Sequence, residues 1–375
     1  MALSGGREQW PAVCVVGPLP PPSGGMANQC EQLVRLLRAD GVSVELVCTN
    51  PPYRPRWIGS LPVLRAGFRL LPYLLHLWRA IGKAAVVHVL ANSGWAWHLF
   101  AAPAIVVARW RDTPVIINYR GGNADSFLAR APRHVRRLLA AGSLRVTPSV
   151  FLQRVFAKYG LTAEVVPNII DLSRFAPVPQ RSFGDAPHLV VTRNLEEIYD
   201  IPTALRAFAR IRAVFPQAQL TVAGSGPEPG SGPELERLQA LVGELGLRDS
   251  VRLAGRIANA AMPAVYAAAD CMLNPSTVDN MPNSILEAFA SGVPVVSTDA
   301  GGIPDLVQDG VSGLLVAVGD EQAMALAALR VLQSTELAAA LRQAGLEQAA
   351  DYAWPQVRAR WLAAYSRVAS GREAA

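Results

Sequence analysis

The chain has 375 residues, 51% of them hydrophobic and 17% charged. At roughly 150 residues per domain, two domains with cores of their own are expected, and a disordered chain is excluded. Residues 1–178 hold 20 Lys plus Arg against 8 Asp plus Glu, and residues 179–375 hold 15 against 21. That asymmetry points to halves with different partners.

In chain order, "AVCVVG" (12–17) is a short apolar run closed by glycine and reads as a buried strand. "PLPPPSGG" (18–25) is too rich in proline and glycine for regular structure. "MANQCEQLVRLLRADG" carries Leu33, Val34, Leu36 and Leu37 on one stripe and stops at Gly41, which predicts a helix. "VSVELVC" (42–48) is the next strand. Strand, glycine loop, helix and strand open a parallel α/β domain. "AVVHVL" (85–90), "PVIINYR" (114–120) and "LRVTPS" (144–149) continue it. Four prolines and little periodicity in 163–188 place a linker near 172–187.

The pattern then restarts with a strand at "LVVTR" (189–193), a helix at "IPTALRAFARIRAVFP", a strand at "AQLTVAGSG" and a helix at "PELERLQALVGELGL". "SVRLAG", "CMLNPS" and "VPVVST" are further strands. "MPAVYAAAD", "NSILEAFASG", "EQAMALAALRVLQS" and "TELAAALRQAG" are helices. The expected fold class is α/β: two Rossmann-like parallel-sheet domains facing across a cleft, over 1–178 and 179–350. The last helix (352–368, within 351–375) is expected to cross back to the N-terminal domain, with Trp354, Trp361 and Tyr365 for docking and a frayed tail. Ligands favour the cleft at the carboxyl ends of such sheets.

Cys14, Cys30, Cys48 and Cys271 form no CxxC pair, and the five histidines show no metal-ligand spacing. Buried thiols in a reducing compartment, and no metal site, are expected. No charged region followed by a long apolar one opens the chain, and no run of ~18 apolar residues occurs. The expectation is a cytoplasmic protein, or one held on the inner face of a membrane. Its only lysines are Lys83 and Lys158. A phosphate bound by the second half must meet arginine, backbone N–H groups or a helix end.

The stretch "VDNMPNSILEAFASGVPVVSTDAGG" (278–302) carries two carboxylates, Asp279 in a polar turn and Glu287 in a hydrophobic helix that Asn283 or Ser284 is expected to cap. A carboxylate accepts two hydrogen bonds from a vicinal diol, and a helix N-terminus receives phosphate, so together they suit a nucleotide sugar. A turn former and a helix residue favoured by the dipole account for the same pair equally well. Arg193, at the end of "LVVTR", suits a diphosphate clamp, with a salt bridge to Glu196 or Glu197 as the plainer alternative. Gly24 and Gly25 in "PSGGMANQ", and "GSGPEPGSG" (224–232), bring backbone N–H groups near phosphate, or simply make turns. Asn118, Arg120 and Asn123 in "NYRGGNADS" end a strand, while His88 reads as a core residue. The segment 54–83 mixes arginine with Trp57, Phe68, Tyr73 and Trp78. It suits a membrane interface or a lipid-linked acceptor, and equally an ordinary helix on the sheet. The basic residues are scattered and no nucleic-acid-reading motif occurs, so nucleic acid is not an expected partner. A dehydrogenase finds little support: "GPLPPPSGG" is not GxGxxG, and no acidic residue follows the second strand as a nicotinamide site needs.

These motifs resemble the retaining glycosyltransferases of family GT4, which have the GT-B fold. The resemblance covers nearly the whole chain and is strongest at "NPSTVDNMPNSILEAFASGVPVVSTDAGGIPDLV" (274–307), with "EVVPNIIDLSRFAP", "VAGSGPE" and "VRLAGRI" in support. It implies transfer of a sugar from a UDP- or GDP-linked donor to a saccharide or lipid-linked saccharide, with retention and without a metal or other cofactor. Glu287 would hold the ribose. Asp279 would contact the donor sugar, with the backbone of Asn280, Met281, Pro282 and Asn283 nearby. Arg193, Gly24, Gly25 and Gly224 would bind the diphosphate side, and Ile257 would approach the base. Three departures stand out. No lysine follows Arg193 in "RNLEEIYDI", the usual first glutamate is Asp279, and Arg120 replaces a histidine. Arg120 cannot act as a base but can neutralise transition-state charge. The competing readings are an epimerase or hydrolase, which would form product without an acceptor, and a non-catalytic nucleotide-sugar-binding partner, which would bind without turnover.

Overall fold

The structure, a computed structural model, describes residues 10–21, 24–51, 62–177, 184–226 and 232–373, with side chains from 69 onward in the helix Pro62–Ile81 and none for 372–373. Trp57 and the Phe68 side chain, together with residues 227–231 of the second glycine stretch, lie outside that set. The chain divides into two units, 1–169 with 357–375, and 170–356.

The first unit holds β1 (Val13–Gly17), β2 (Val44–Cys48), β3 (Val86–Ala91), β4 (Val115–Tyr119), β5 (Leu144–Thr147) and β6 (Glu164–Val165). They form one parallel sheet in the order β2-β1-β3-β4-β5-β6. β1, β3 and β4 are buried along their whole length, which is why they read as unbroken apolar runs: helices cover both faces of a parallel sheet. β6 has two residues and carries no legible apolar pattern. Because β3 lies beside β1, the order reverses there, and the helix Gly25–Ala39 leaves from that point.

The second unit holds β7 (His188–Val191), β8 (Gln219–Ala223), β9 (Val251–Gly255), β10 (Cys271–Asn274), β11 (Val295–Thr298) and β12 (Leu314–Val316), ordered β12-β11-β10-β7-β8-β9 and again parallel. β12, an edge strand of three residues, was not legible in the sequence. The switch point falls between β7 and β10, which are neighbours in space and far apart in the chain.

Two boundaries differ from the sequence reading. The first unit ends at 169 rather than 178. The Ile170 N–H donates to the Tyr352 carbonyl at 3.0 Å, and the Phe175 ring packs edge-on against Tyr266. The segment 170–177 is therefore tied into the second unit before the proline-rich stretch begins. The second is the start of the C-terminal helix: it goes with the first unit as expected, but it runs Trp354–Glu373 rather than 352–368 and joins that unit from Val357 onward. Val357, Trp361, Tyr365 and Val368 are buried at helical spacing. Trp361 and Tyr365 meet His88, whose ring centroid is 4.5 Å from that of Trp361.

Candidate active site

β7 and β10 end side by side, so the residues that follow them gather at the switch point of the second sheet. Arg193 follows β7. Its Nε donates to the Asn274 Oδ1 at the end of β10, 2.7 Å away, and its Nη2 is ion-paired with Asp279. The guanidinium also lies over the Tyr199 ring, 4.8 Å from its centroid. Three partners thus fix a planar, permanently charged fork in one orientation. No bond to Glu196 or Glu197 is needed to explain it. Asn274 is itself held: its Nδ2 donates to Ser297 at 2.8 Å and its Oδ1 accepts from Ser276 at 3.2 Å. All three are fully buried, so their hydrogen bonds are costly to break.

Asp279 is both turn former and ion-pair partner. Its second carboxylate oxygen accepts the Asn280 N–H at 2.7 Å, and its carbonyl accepts the Gly302 N–H at 2.9 Å. Gly301 closes this turn at φ +57°, and a side chain there would collide with the Asp279 carbonyl. Gly224 has a comparable role after β8. A Cβ would overlap the Arg193 carbonyl, so the missing side chain lets two loops meet.

The helix Asn283–Ala290 follows. Asn283 and Ser284 do not cap it: the N-cap is Pro282, and no side chain bonds to the first turn. The Ser284 hydroxyl points into the interior. Asn280, Met281 and Pro282 are buried, and Asn283 is partly so. Glu287 lies one turn in and accepts a hydrogen bond from the Tyr266 hydroxyl at 2.9 Å. Burial pushes its carboxyl up to about 7. The Tyr266 bond and then the charges of Arg174 and Arg193 act in the opposite direction. Ile257 follows β9, half-buried in the loop whose Asn259 carbonyl accepts a 2.6 Å bond from Arg174.

The first unit carries Gly24, Gly25 and Arg120. Gly24 is the N-cap of the helix Gly25–Ala39 in extended backbone, and a Cβ there would meet nothing. Arg120 follows β4. Its N–H donates to the Ala91 carbonyl at 2.9 Å, and its guanidinium donates to the Asn168 side chain. Desolvation lowers its pKa to about 10. Its charge also reaches Cys30, whose thiol burial pushes up to about 12, and His88, held down to about 3 mainly by burial. His88 is fully buried, with Nδ1 at 2.6 Å from the Tyr365 hydroxyl and Nε2 at 3.0 Å from the Asn118 amide. Neutral at ordinary pH, it anchors the C-terminal helix. The structure brings Arg193, Asp279, Gly224 and Glu287 together in the second unit, and places Gly24, Gly25 and Arg120 in the first.

Sequence reading did not find Asn274, Tyr199, Tyr266 or Arg174. Asn274, a polar residue closing an apolar strand, was the one visible signal. Tyr266 and Arg174 act through contacts between elements distant in the chain, and Tyr199 through a ring contact with nearby Arg193 that no motif records.

An arginine anchored at the switch point of a dinucleotide-type sheet, with one carboxylate on it and another on the next helix, suits a diphosphate that carries polyols at both ends. That is the chemistry of a sugar nucleotide, on a fold of two Rossmann-like units. The class so defined is a glycosyltransferase of the GT-B fold. Two family models agree. Residues 23–174 match "Glycosyltransferase Family 4" and residues 186–334 match "Glycosyl transferases group 1". The chain belongs to glycosyltransferase family 4.

Among curated relatives, it is 27% identical over 369 residues to the GDP-mannose-dependent alpha-(1-6)-phosphatidylinositol monomannoside mannosyltransferase of Mycolicibacterium smegmatis, covering 90% of this chain and 93% of that one. It is 34% identical over 213 residues to the D-inositol 3-phosphate glycosyltransferase of Actinosynnema mirum, about half of each chain (54% and 51%). Two solved structures share the fold. Sucrose-phosphate synthase from Thermosynechococcus elongatus has a TM-score of 0.76 at 20% identity, over 96% of this chain and 100% of that one. HepE from Anabaena in complex with UDP has a TM-score of 0.73 at 17% identity, over 95% and 100%.

Proposed function

We propose that the protein transfers a hexosyl group from a UDP- or GDP-linked donor to a hydroxyl of a saccharide or polyol acceptor, with retention, at the cytoplasmic face of a membrane that holds a lipid-linked acceptor. The observation that carries this reading is the anchored Arg193 beside Asp279, with Glu287 on the following helix. In this reading Arg193 takes the diphosphate charge as it grows on the leaving group, without a divalent cation. Asp279 and the turn at 280–283 meet the donor sugar, and Glu287 accepts the ribose hydroxyls. Ile257 lies against the base. Arg120 adds positive charge from the first unit, with the Gly24–Gly25 helix start beside the phosphates. The Tyr199 ring face supports the Arg193 guanidinium, 4.8 Å from the ring centroid.

The choice of donor and acceptor class is supported by the activity of the Mycolicibacterium smegmatis relative, which aligns along nearly its full length. Membrane contact is supported by Leu71, Leu75, Trp78 and Trp110, all exposed on the first unit. It is also supported by the absence of any acidic residue from Pro51 to Arg111, where eight cationic residues occur. Among the described residues, no single helix is long and apolar enough to cross a membrane.

Calorimetric titration with UDP, GDP, ADP, CMP and dTDP, with and without EDTA, tests the donor site. Tight, EDTA-insensitive binding of UDP or GDP is expected. Failure of all five would move a non-catalytic protein ahead. The anomeric configuration of the product, read by NMR, tests retention.

A further inference from the structure

Tyr266 lies in the helix Met262–Ala267, on no motif that suggested chemistry, yet it is fully buried directly behind Glu287. Its hydroxyl has three oxygen neighbours: Glu287 Oε2 at 2.9 Å, Thr192 Oγ1 at 2.9 Å and the Ser284 carbonyl at 3.2 Å. A phenol has one proton to give. With Glu287 ionised, that proton goes to the carboxylate, and Thr192 donates to the phenol oxygen. With Glu287 protonated, the phenol proton turns to the Ser284 carbonyl, and the carboxyl loses its acceptor character on that side.

We propose that the Tyr266 hydroxyl is a positioning group that keeps Glu287 ionised and aimed at the ribose of the donor nucleotide; this rests on the ribose role given to Glu287 above. Three observations support it. The Tyr266 ring cannot shift, because Phe175 packs on it edge-on with centroids 5.9 Å apart. Thr192 immediately precedes Arg193, so one local chain segment orients the phenol and supplies the diphosphate partner. Finally, burial alone would hold Glu287 protonated near neutrality. The Tyr266 bond is first among the effects that oppose it, ahead of Arg174 and Arg193, the cations that face the carboxyl from the segment after Ile170 and from the end of β7.

The test titrates the full chain with UDP and GDP from pH 5.5 to 9, as wild type, Tyr266→Phe and Glu287→Gln. The titration of Glu287 is followed in parallel by carbon NMR of labelled glutamate, without nucleotide. Wild-type affinity should fall as pH drops through about 7. Tyr266→Phe should move both midpoints upward by about one unit, which weakens binding about fivefold at pH 7 and approaches tenfold below pH 6, and the gap should narrow as pH rises. Glu287→Gln should bind weakly and without pH dependence over this range. A Tyr266→Phe protein with unchanged midpoints, or weakened by one factor at every pH, overturns the positioning role while leaving the ribose assignment standing. Glu287→Gln binding as tightly as wild type overturns the ribose assignment, and this proposal with it.

Discussion

Glu287 shows what its placement costs the fold. Its carboxyl is raised from 4.5 to about 7 by burial. The folded state therefore holds the proton more tightly than the unfolded chain, and stability is lost as pH rises from 4.5 through 7. Glu287→Gln should escape that loss. The variant should gain about 2–3 kcal/mol over wild type at pH 8 and nothing below pH 4.5, while turnover falls sharply. Denaturant unfolding at the two pH values checks it, and no gain at pH 8 would mean the carboxylate is better solvated than its surroundings indicate. Asn274 makes a second case. It touches Arg193 without being a candidate ligand itself, so Asn274→Ala should weaken nucleoside diphosphate binding by about 1–2 kcal/mol, within the range of a lost hydrogen bond to a charged group. It should leave nucleoside binding nearly unchanged, and calorimetry with UDP against uridine, or GDP against guanosine, separates the two. Arg193 and Asp279 were legible because each follows an apolar strand, and Glu287 because it is a lone charge in a hydrophobic helix. Asn274 and Tyr266 were not, because their work depends on a partner 81 residues away or on a neighbouring helix; Tyr199 was not, because a ring under a nearby guanidinium leaves no pattern in the sequence.

At the level of elements, strands buried on both faces were readable from apolar runs alone, and the β-α-β alternation gave the parallel sheets. The short edge strands β6 and β12 lack that signature, and the unit boundary was misplaced because proline content marks where a chain is irregular, not where it changes core. One buried histidine is among the contacts that hold the C-terminal helix. His88 has its pKa held down to about 3, so the folded state disfavours its proton. Its stabilising effect is complete above pH 6.5 and is lost as pH falls towards 3, at up to about 1.4 kcal/mol per pH unit. His88→Gln should therefore destabilise the protein by about 2–3 kcal/mol at pH 8, through the lost bonds to Tyr365 and Asn118 and the disturbed ring packing. That penalty should shrink as the pH is lowered to 5, because the wild type alone carries the buried imidazole. A penalty constant with pH would show that His88 is solvated or charged in the folded protein.

Across the whole molecule, the C-terminal helix changes how the charge is divided. Counted by structural unit, 1–169 with 357–375 holds 23 Lys plus Arg against 8 Asp plus Glu, while 170–356 holds 12 against 21. The contrast is steeper than between the two halves of the sequence, because the last 19 residues bring four arginines to the first unit. A basic unit that also exposes Leu71, Leu75 and Trp78 along one helix face, with Trp110 and with Arg111 stacked 4.6 Å from the Trp78 ring centroid, combines the two attractions that hold proteins at anionic lipid surfaces. Neither is strong alone: about 1 kcal/mol per cation near the surface, and burial of a few apolar side chains. If the proposed membrane contact holds, their sum would give weak, salt-sensitive association. The wild type should sediment with phosphatidylserine-containing vesicles at low salt, much less at 0.5 M salt, and little with neutral phosphatidylcholine vesicles. Leu71→Glu/Leu75→Glu should lower the bound fraction at least tenfold, since it removes apolar contact and adds negative charge at once, while nucleotide affinity stays at the wild-type value because neither residue touches the donor-site residues. If that variant sediments like the wild type, the exposed face is an ordinary helix surface and the acceptor reaches the enzyme from solution; if nucleotide affinity falls as well, the substitution has disturbed the fold and not a membrane contact.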